Sequence, residues 1–218
     1  MSASTTTRTS AADRVYDHVK SAILGGDREG GSFLTEGEVA DEVGVSRTPV
    51  REALLRLQVE GLVTLYPKKG ALVTSVTARD AREVLEARQV IEEWAAGRAW
   101  SRRADLVEAL APALDAMRAA RQADDPAAFS TADRAFHEII VDAADNGVIS
   151  RQYSALRDRQ LCILAGQIRA GSGRMKHALD THGELLELLR SGTRAQFVKA
   201  SREHVADAMR RLGVGGDR

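Results

Sequence analysis

The sequence predicts a mainly α fold, in which an N-terminal winged helix-turn-helix precedes a C-terminal all-α bundle of about six helices. Apolar residues recur at helical spacing over most of the 218-residue chain, whereas strand-like runs occur in one short stretch near residue 70. Ala, Leu, Val and Arg dominate, and aromatic residues contribute 4% of the chain. Helix-forming residues therefore outnumber strand-forming ones.

The N-terminal part of the chain shows helical patterns and helix caps. The predicted helices span 12–24, 35–43 and 47–60. Thr35 is expected at the N-cap of the second helix, because Glu38 follows at the spacing of a capping box. Ser46 is expected to cap the third helix.

A β-hairpin is predicted directly after the third helix. Its strands span 62–66 and 71–76, and Pro67-Lys68-Lys69-Gly70 supplies the turn between them. Three helices followed by a hairpin are typical of a winged helix-turn-helix. In that fold the third helix enters the major groove of DNA and the hairpin contacts the backbone or the minor groove.

After Thr77 the pattern is helical throughout. Six helices are predicted, over 77–101, 104–121, 126–144, 147–169, 175–190 and 193–212. We therefore divide the chain into a disordered tail over 1–10, a DNA-binding domain over 11–76 and an all-helical domain over 77–213.

Composition excludes several classes of protein. The 31 basic and 31 acidic residues balance, so nucleic-acid binding has to rest on a local surface. The single cysteine, Cys162, rules out a disulfide within the chain and fits a reducing compartment. No apolar run is long enough to span a membrane, and the N-terminus has no secretory signal. A cytoplasmic location without membrane contact is therefore expected.

The start of the third helix carries side chains suited to DNA. Its first turn presents Ser46, Arg47 and Thr48, and Arg51 follows Arg47 by one helical turn. A helix N-terminus favours phosphate, and an arginine reads guanine through two hydrogen bonds. Between residues 46 and 69 the basic side chains are Arg47, Arg51, Arg56, Lys68 and Lys69, against the acidic Glu52 and Glu60. The alternative is a surface helix with ordinary solvated arginines.

Four polar residues of the C-terminal domain lie on or beside apolar helix faces. They come from three predicted helices and are Asp133, His137, His182 and His204. Burying them without partners is costly, and one shared divalent ion satisfies all four. Three imidazoles and a carboxylate suit zinc or nickel. The alternative is a set of core histidines that are simply hydrogen-bonded. His18 and His177 lie outside this pattern and are expected to be structural.

Arg88 also falls on an apolar face, that of the helix predicted over 77–101. An inward-facing arginine can hold the carboxylate of a ligand through two hydrogen bonds. It can equally form an ion pair with Glu92, which lies four residues on. Both arrangements remain open, each in a different state of ligation.

Residues 15–74 resemble the DNA-binding domain of the GntR family of bacterial regulators. The run from Gly44 to Leu54, GVSRTPVREAL, carries the likeness most strongly. The resemblance implies DNA contacts by residues of the third helix and of the wing. They are Ser46, Arg47, Thr48, Arg51, Lys69 and Gly70. The chain departs from the family at Gly37, where an arginine is common, so one contact to DNA is expected to be missing.

Residues 77–212 resemble the all-helical effector domain, of the FCD type, found in the FadR subfamily. The matching residues are Arg88 and Glu92, Asp133-Arg134-Ala135-Phe136-His137, Asp145-Asn146, His182 and His204. The resemblance implies a metal-binding sensor of a small organic acid, and a homodimer bound to a pseudo-palindromic operator. Repression is expected, because most members of the family resemble repressors.

The sequence thus predicts a DNA-binding transcriptional regulator and not an enzyme. Two alternatives stay open from the residues alone. The histidines and the aspartate can instead activate water in a metal-dependent enzyme fused to a DNA-binding domain, although no general base stands out beside them. They can also hold a metal that serves folding alone.

Overall fold

The structure is a computed structural model and describes residues 10–67, 69–75, 77–165 and 172–213. Four predictions extend beyond these ranges: the disordered tail over 1–10, Lys68 in the turn, the last residue of the strand predicted over 71–76, and the end of the helix predicted over 147–169. Within the predicted tail, Ser10 is described and forms the N-cap of the first helix, so the predicted tail is one residue too long. The chain forms two compact units, residues 1–76 and 77–218.

Three helices form the first unit together with a small sheet. They are α1, Ala11–Leu24, α2, Glu36–Val43, and α3, Arg47–Val59. Thr35 caps α2 as predicted, because its side chain accepts a hydrogen bond from the backbone of Glu38 and the Glu38 side chain accepts one from the backbone of Thr35. Ser46 occupies the N-cap of α3, but its side chain makes no capping hydrogen bond. The predicted N-cap position is therefore correct, but the predicted capping hydrogen bond is absent, and the hydroxyl stays available to other partners.

The sheet has three antiparallel strands in the order β1-β3-β2. They are β1, Phe33–Leu34, β2, Val63–Tyr66, and β3, Gly70–Val73. The hairpin of β2 and β3 was predicted, whereas β1 was missed because two residues are too few to show an alternating pattern. β1 pairs with β3 and ties the segment before α2 to the wing.

Gly70 is required at the start of β3, and we expect its replacement by alanine to destabilise the first unit. Its φ is +135°, and a Cβ atom there would lie 2.1 Å from the carbonyl oxygen of Leu34. We expect Gly70→Ala to lower the free energy of unfolding by roughly 2–4 kcal/mol, measured by urea denaturation. Gly61→Ala is the matched control, because φ is +76° there and no atom lies within 4 Å of the added Cβ. Its cost should be only about 1 kcal/mol, and equal losses in both variants would refute the steric argument.

The described part of the second unit, 77–165 and 172–213, contains six α-helices. They are α4, Ala78–Ala99, α5, Arg103–Gln122, α6, Pro126–Asp142, α7, Gly147–Ala165, α8, Ser172–Ser191, and α9, Arg194–Arg211. A 3-10 turn, Trp100–Arg102, links α4 to α5. The mainly α fold class, with its winged helix-turn-helix and helical bundle, is confirmed.

The core of the second unit lies between these helices. Leu110 and Leu114 of α5 pack in one buried cluster with Phe136 of α6, Leu189 of α8 and Phe197 of α9. Four-residue spacing places such side chains on one face of each helix. Polar residues on the same faces must then point into the bundle as well, which positions the candidate site.

Candidate functional site

The helix α3 separates an apolar face from a polar one. Its buried face consists of Val50, Ala53, Leu54 and Leu57. The predicted DNA-contacting residues Ser46, Arg47, Thr48 and Arg51 are all exposed. The packing of α3 on α1 and α2 therefore presents these four side chains to solvent together.

Arg51 is held in place by an acidic residue of α2. Its Nε atom lies 2.8 Å from each carboxylate oxygen of Glu36. The hydrogen bond to Glu36 raises the pKa of Arg51, and the same bond lowers the pKa of Glu36. The guanidinium remains largely exposed, with a side-chain exposure of 62%. Arg51 is thus oriented while its remaining N–H groups stay available to DNA.

Gly37 leaves room for Arg47. A Cβ atom at position 37 would lie 3.7 Å from Nη2 of Arg47. A long basic side chain at this position would compete with that guanidinium for space and repel its charge. The arginine that is common in the family is therefore absent at Gly37, and the guanidinium of Arg47 from α3 lies beside this position instead.

Arg56 does not belong to this exposed surface. Its Nη1 atom lies 2.7 Å from a carboxylate oxygen of Asp13, and its guanidinium stacks 4.0 Å from the centre of the Tyr16 ring. It therefore packs against α1, and the local basic surplus inferred from the sequence is smaller than expected.

At the wing Lys69 is exposed and Gly70 is buried.

Three histidines meet inside the second unit. His137 of α6, His182 of α8 and His204 of α9 each offer one ring nitrogen, and these atoms lie within 4.8 Å of one another. His137 and His182 are buried, and His204 is partly buried. The structure thus brings together the three histidines that the helical spacing singled out.

Hydrogen bonds orient the rings of His137 and His182, so that Nε2 of each ring faces the three-histidine cluster. Nδ1 of His182 lies 2.6 Å from the carbonyl oxygen of Ala178, and Nδ1 of His137 lies 2.9 Å from a carboxylate oxygen of Glu92. Because both oxygens only accept, each Nδ1 carries the proton. The two Nε2 atoms face each other at 3.1 Å, and Nε2 of His182 also lies 3.2 Å from Oδ1 of Asp133.

This geometry fits a metal ion. Two ring nitrogens and a carboxylate oxygen this close together need a proton or a metal ion shared between them. Nitrogen ligands about 2.0–2.1 Å from a shared ion are roughly 2.9–3.4 Å apart, and the observed 3.1 Å falls in that range. Glu92 holding the far nitrogen of His137 is the kind of outer partner that orients metal-binding imidazoles.

Burial favours the neutral form of two of the imidazoles, those of His137 and His204. It lowers the pKa of His137 to about 4, and the attraction of the Glu92 carboxylate offsets only part of that effect. Burial also lowers the pKa of His204 well below its usual value. Neutral imidazole is the form that binds metal, so His137 and His204 need no proton loss near pH 7.

Asp133, the fourth predicted ligand, lies beside the histidines. Its Oδ1 atom is 3.2 Å from Nε2 of His182 and 3.9 Å from Nε2 of His137. Its Oδ2 atom accepts a hydrogen bond from Nη2 of Arg157 at 2.5 Å. Burial raises its pKa, but the charge of Arg157 outweighs this and holds the pKa well below its usual value. Asp133 is therefore an ionised carboxylate with one oxygen turned toward the histidines.

Arg88 forms the ion pair that was one of its two predicted arrangements. Its Nη2 atom lies 2.6 Å from Oε1 of Glu92, and both side chains are buried. Tyr153 donates a hydrogen bond of 2.7 Å to the same oxygen. Burial raises the pKa of Glu92, but the charge of Arg88 and the hydrogen bonds from His137 and Tyr153 bring it well below its usual value.

Sequence reasoning missed the contribution of α7 to this site. Tyr153, Arg157 and Gln160 are all buried there. A signal for the first two existed, because they follow the partly buried Ile149 at intervals of four residues. A buried arginine at such a position marks a partner inside the bundle.

The other two histidines have acidic partners away from the centre. His18 lies 3.2 Å from Glu42, and His177 of α8 lies 2.7 Å from Asp207 of α9. Neither belongs to the three-histidine cluster. His177 therefore serves as a matched reference for His182 on the same helix.

Acid should destabilise the second unit through His137. Its pKa is lowered on folding from 6.5 to about 4, so the unfolded chain binds the extra proton between these values. Stability is thus fully present above pH 6.5 and is lost as the pH falls toward 4. We expect a loss of roughly 2 kcal/mol between pH 6.5 and pH 5 in metal-free protein, measured by urea denaturation. His137→Gln should flatten that dependence, and an unchanged slope would contradict the assignment.

Two protein families match the chain. Residues 11–73 match the bacterial regulatory proteins of the gntR family, and residues 83–207 match the FCD domain. Within the described ranges, every helix falls short of the length and apolar character that a membrane crossing requires.

Individual relatives agree with these matches. An uncharacterised HTH-type transcriptional regulator of Agrobacterium vitis, from the TAR-I ttuE-ttuC' intergenic region, is 37% identical over 66% of this chain and 84% of its own length. The gluconate operon transcriptional repressor of Bacillus subtilis is 27% identical over 92% of this chain and 84% of its own. The solved structure of E. coli McbR/YncC has the same fold, with a TM-score of 0.83 at 21% identity over 94% of this chain and 98% of its own.

Proposed function

This chain belongs to the gntR family of bacterial regulatory proteins and carries a C-terminal FCD domain, and from that premise we propose that it is a metal-dependent repressor responsive to an organic acid. Its family makes it a DNA-binding transcriptional regulator and not an enzyme, and the FCD domain is consistent with the FadR subfamily. The finer proposal is that a small organic acid, bound beside a divalent ion in the helical domain, controls the affinity of the protein for DNA.

The observation that carries this proposal is the close approach of the Nε2 atoms of His137 and His182, 3.1 Å apart, while each Nδ1 faces a hydrogen-bond acceptor. With His204 they would hold zinc or nickel, and Oδ1 of Asp133 would supply a fourth ligand. A bound ion of this kind supplies open coordination positions for a carboxylate oxygen of the effector. Glu92 and the Ala178 carbonyl keep two of the imidazoles turned toward the ion.

The DNA-binding half of the proposal rests on the exposed side of α3. Residues 11–76 would form the DNA-binding domain. The proposed contacts come from Ser46, Arg47, Thr48 and Arg51 on α3 and from Lys69 on the wing, whereas Gly70 is buried and would only shape the wing through its close approach to Leu34. In a homodimer two such helices reach major grooves about 34 Å apart, which requires a pseudo-palindromic operator.

The effector half rests on residues 77–213, which would also carry the dimer interface. A relative that represses the gluconate operon supports both repression and a carboxylate signal. Arg88 lies buried at the centre and carries N–H groups beyond those bound to Glu92. We place the regulator in the cytoplasm, where bacterial DNA is found.

Control of DNA binding requires two arrangements of the dimer. The acid releases DNA only to the extent that it binds the non-binding arrangement more tightly than the other. An acid with equal affinity for both would occupy the centre without changing operator affinity.

Selection of genomic DNA fragments on purified, metal-loaded protein, followed by sequencing, tests this proposal. We expect a palindromic site beside one operon, and release of that site by an acid that the operon's enzymes handle. The same acid should have no effect after chelation. Diffuse, salt-sensitive binding would contradict the regulator. If an acid releases the operator equally well after chelation, the metal has at most a structural role. The same holds if no acid releases the operator and chelation unfolds the protein.

A further inference from the structure

Two buried arginines converge at the candidate metal centre. Arg88 of α4 is 3% exposed, and Arg157 of α7 is 1% exposed. Nη1 of each donates a hydrogen bond to the same atom, Oε1 of Gln160, and the bond from Arg157 is 2.7 Å long. Two positive groups therefore lie on either side of one neutral amide oxygen, a position where an anion is favoured.

Arg157 also has an unused donor. Its Nε atom is buried and has no hydrogen-bond partner among the described residues. A buried N–H without an acceptor is costly, and it is tolerated where a ligand completes the set. The other end of the same guanidinium is fixed by Oδ2 of Asp133 at 2.5 Å. Arg157 is therefore anchored on one side and unsatisfied on the other.

The charges of the centre balance only before a metal binds. Arg88 and Arg157 are matched by Glu92 and Asp133. The neighbouring Arg134 is matched by the buried Asp158, whereas its second partner, Glu138, is more exposed and screened by water. A divalent ion added to neutral histidines leaves two uncompensated positive charges in a buried site. A ligand with one carboxylate removes half of this excess, and a ligand with two removes all of it.

We infer that the effector is a dicarboxylate. One carboxylate binds the open positions of the metal, and the other displaces the amide oxygen of Gln160 and is held between Arg88 and Arg157. This inference rests on the proposed function and adds the class of the acid. Arg157 and Gln160 become the residues that distinguish acids with two carboxylates from acids with one.

Isothermal titration of zinc-loaded full-length protein tests the inference with matched acids. Succinate is compared with succinamate and glucarate with gluconate, because each pair differs in one charged end. We expect at least one dicarboxylate to bind roughly tenfold or more tightly than its partner. Equal affinities, or no binding by any acid of the series, would overturn the inference. Equally tight binding of inorganic phosphate would also overturn it, since phosphate has no second carboxylate to place.

Two variants locate the preference. Gln160→Glu places a carboxylate where the amide oxygen lies, so it should raise the melting temperature of the zinc-loaded protein and abolish the preference for two carboxylates. Arg157→Gln, measured after saturation with zinc, should abolish the preference. Arg79→Gln, on the exposed face of α4, is the matched control and should keep the preference. If both site variants keep the wild-type preference, the second carboxylate is not bound here.

The fate of operator binding separates this inference from the proposed function. A monocarboxylate that releases DNA, with no advantage for any dicarboxylate, would leave the proposed function standing and overturn the inference. A dicarboxylate that binds with the expected preference but leaves operator affinity unchanged would support the inference and contradict the proposed function.

Discussion

Replacing Arg47 with alanine should weaken binding to the selected operator roughly 10- to 100-fold. Arg47 stands in the exposed first turn of α3, above Gly37, and none of the described carboxylates lies within ion-pair distance of it. Its guanidinium is therefore available to a guanine edge or a phosphate. Fluorescence anisotropy with a labelled operator measures the loss. A base contact predicts relaxed discrimination at one operator position, whereas a phosphate contact predicts a uniform loss and a smaller salt dependence.

Arg56→Ala is the matched control for this prediction. The residue lies on the same helix, but its guanidinium stacks on Tyr16 and pairs with Asp13. We expect a small loss of stability, on the order of 0.5 kcal/mol, and an operator affinity close to that of the wild type. If Arg56→Ala weakened binding as much as Arg47→Ala, the surface assigned to DNA would be wrong.

Replacing His182 with alanine should remove metal binding at the centre, with a loss of affinity of at least about 100-fold. His182 is fully buried and lies edge-on to Phe136, with its Nε2 atom facing that of His137. Metal analysis after dialysis and the rise in melting temperature on adding zinc measure the effect. We expect the variant to keep its helical content, to show no metal-induced stabilisation and to bind the operator regardless of any acid.

His177→Ala is the control on the same helix. Its ring pairs with Asp207 on α9 and lies apart from the cluster. We expect a modest loss of stability and an unchanged zinc content. Loss of zinc from His177→Ala, or full retention of zinc by His182→Ala, would contradict the assignment of the ligands.

Helical spacing predicted much of the metal centre. His137, His182 and His204 each fall on an apolar face, so a bundle that buries these faces must bring their side chains inward. The capping box of Thr35 and Glu38 was equally readable, because its chemistry lies within one turn. Such local signals do not depend on which helices become neighbours.

The remaining features depend on contacts between distant segments. Strand β1 exists because β3 offers it a partner, and the sequence around Phe33 carries no sign of this. The link between Gln160 and Arg88 joins α7 to α4, and spacing along one helix cannot reveal it. Arg56 and Arg51 look alike in the sequence, and only the positions of α1 and α2 assign them different partners.

The most direct test of the account measures operator affinity of the zinc-loaded protein while a dicarboxylate is titrated, with and without prior chelation. We predict that the acid lowers operator affinity in the zinc-loaded wild type, and that chelation or His182→Ala abolishes the response while operator binding persists. An undiminished response in the chelated protein or in His182→Ala would contradict control through the three-histidine centre.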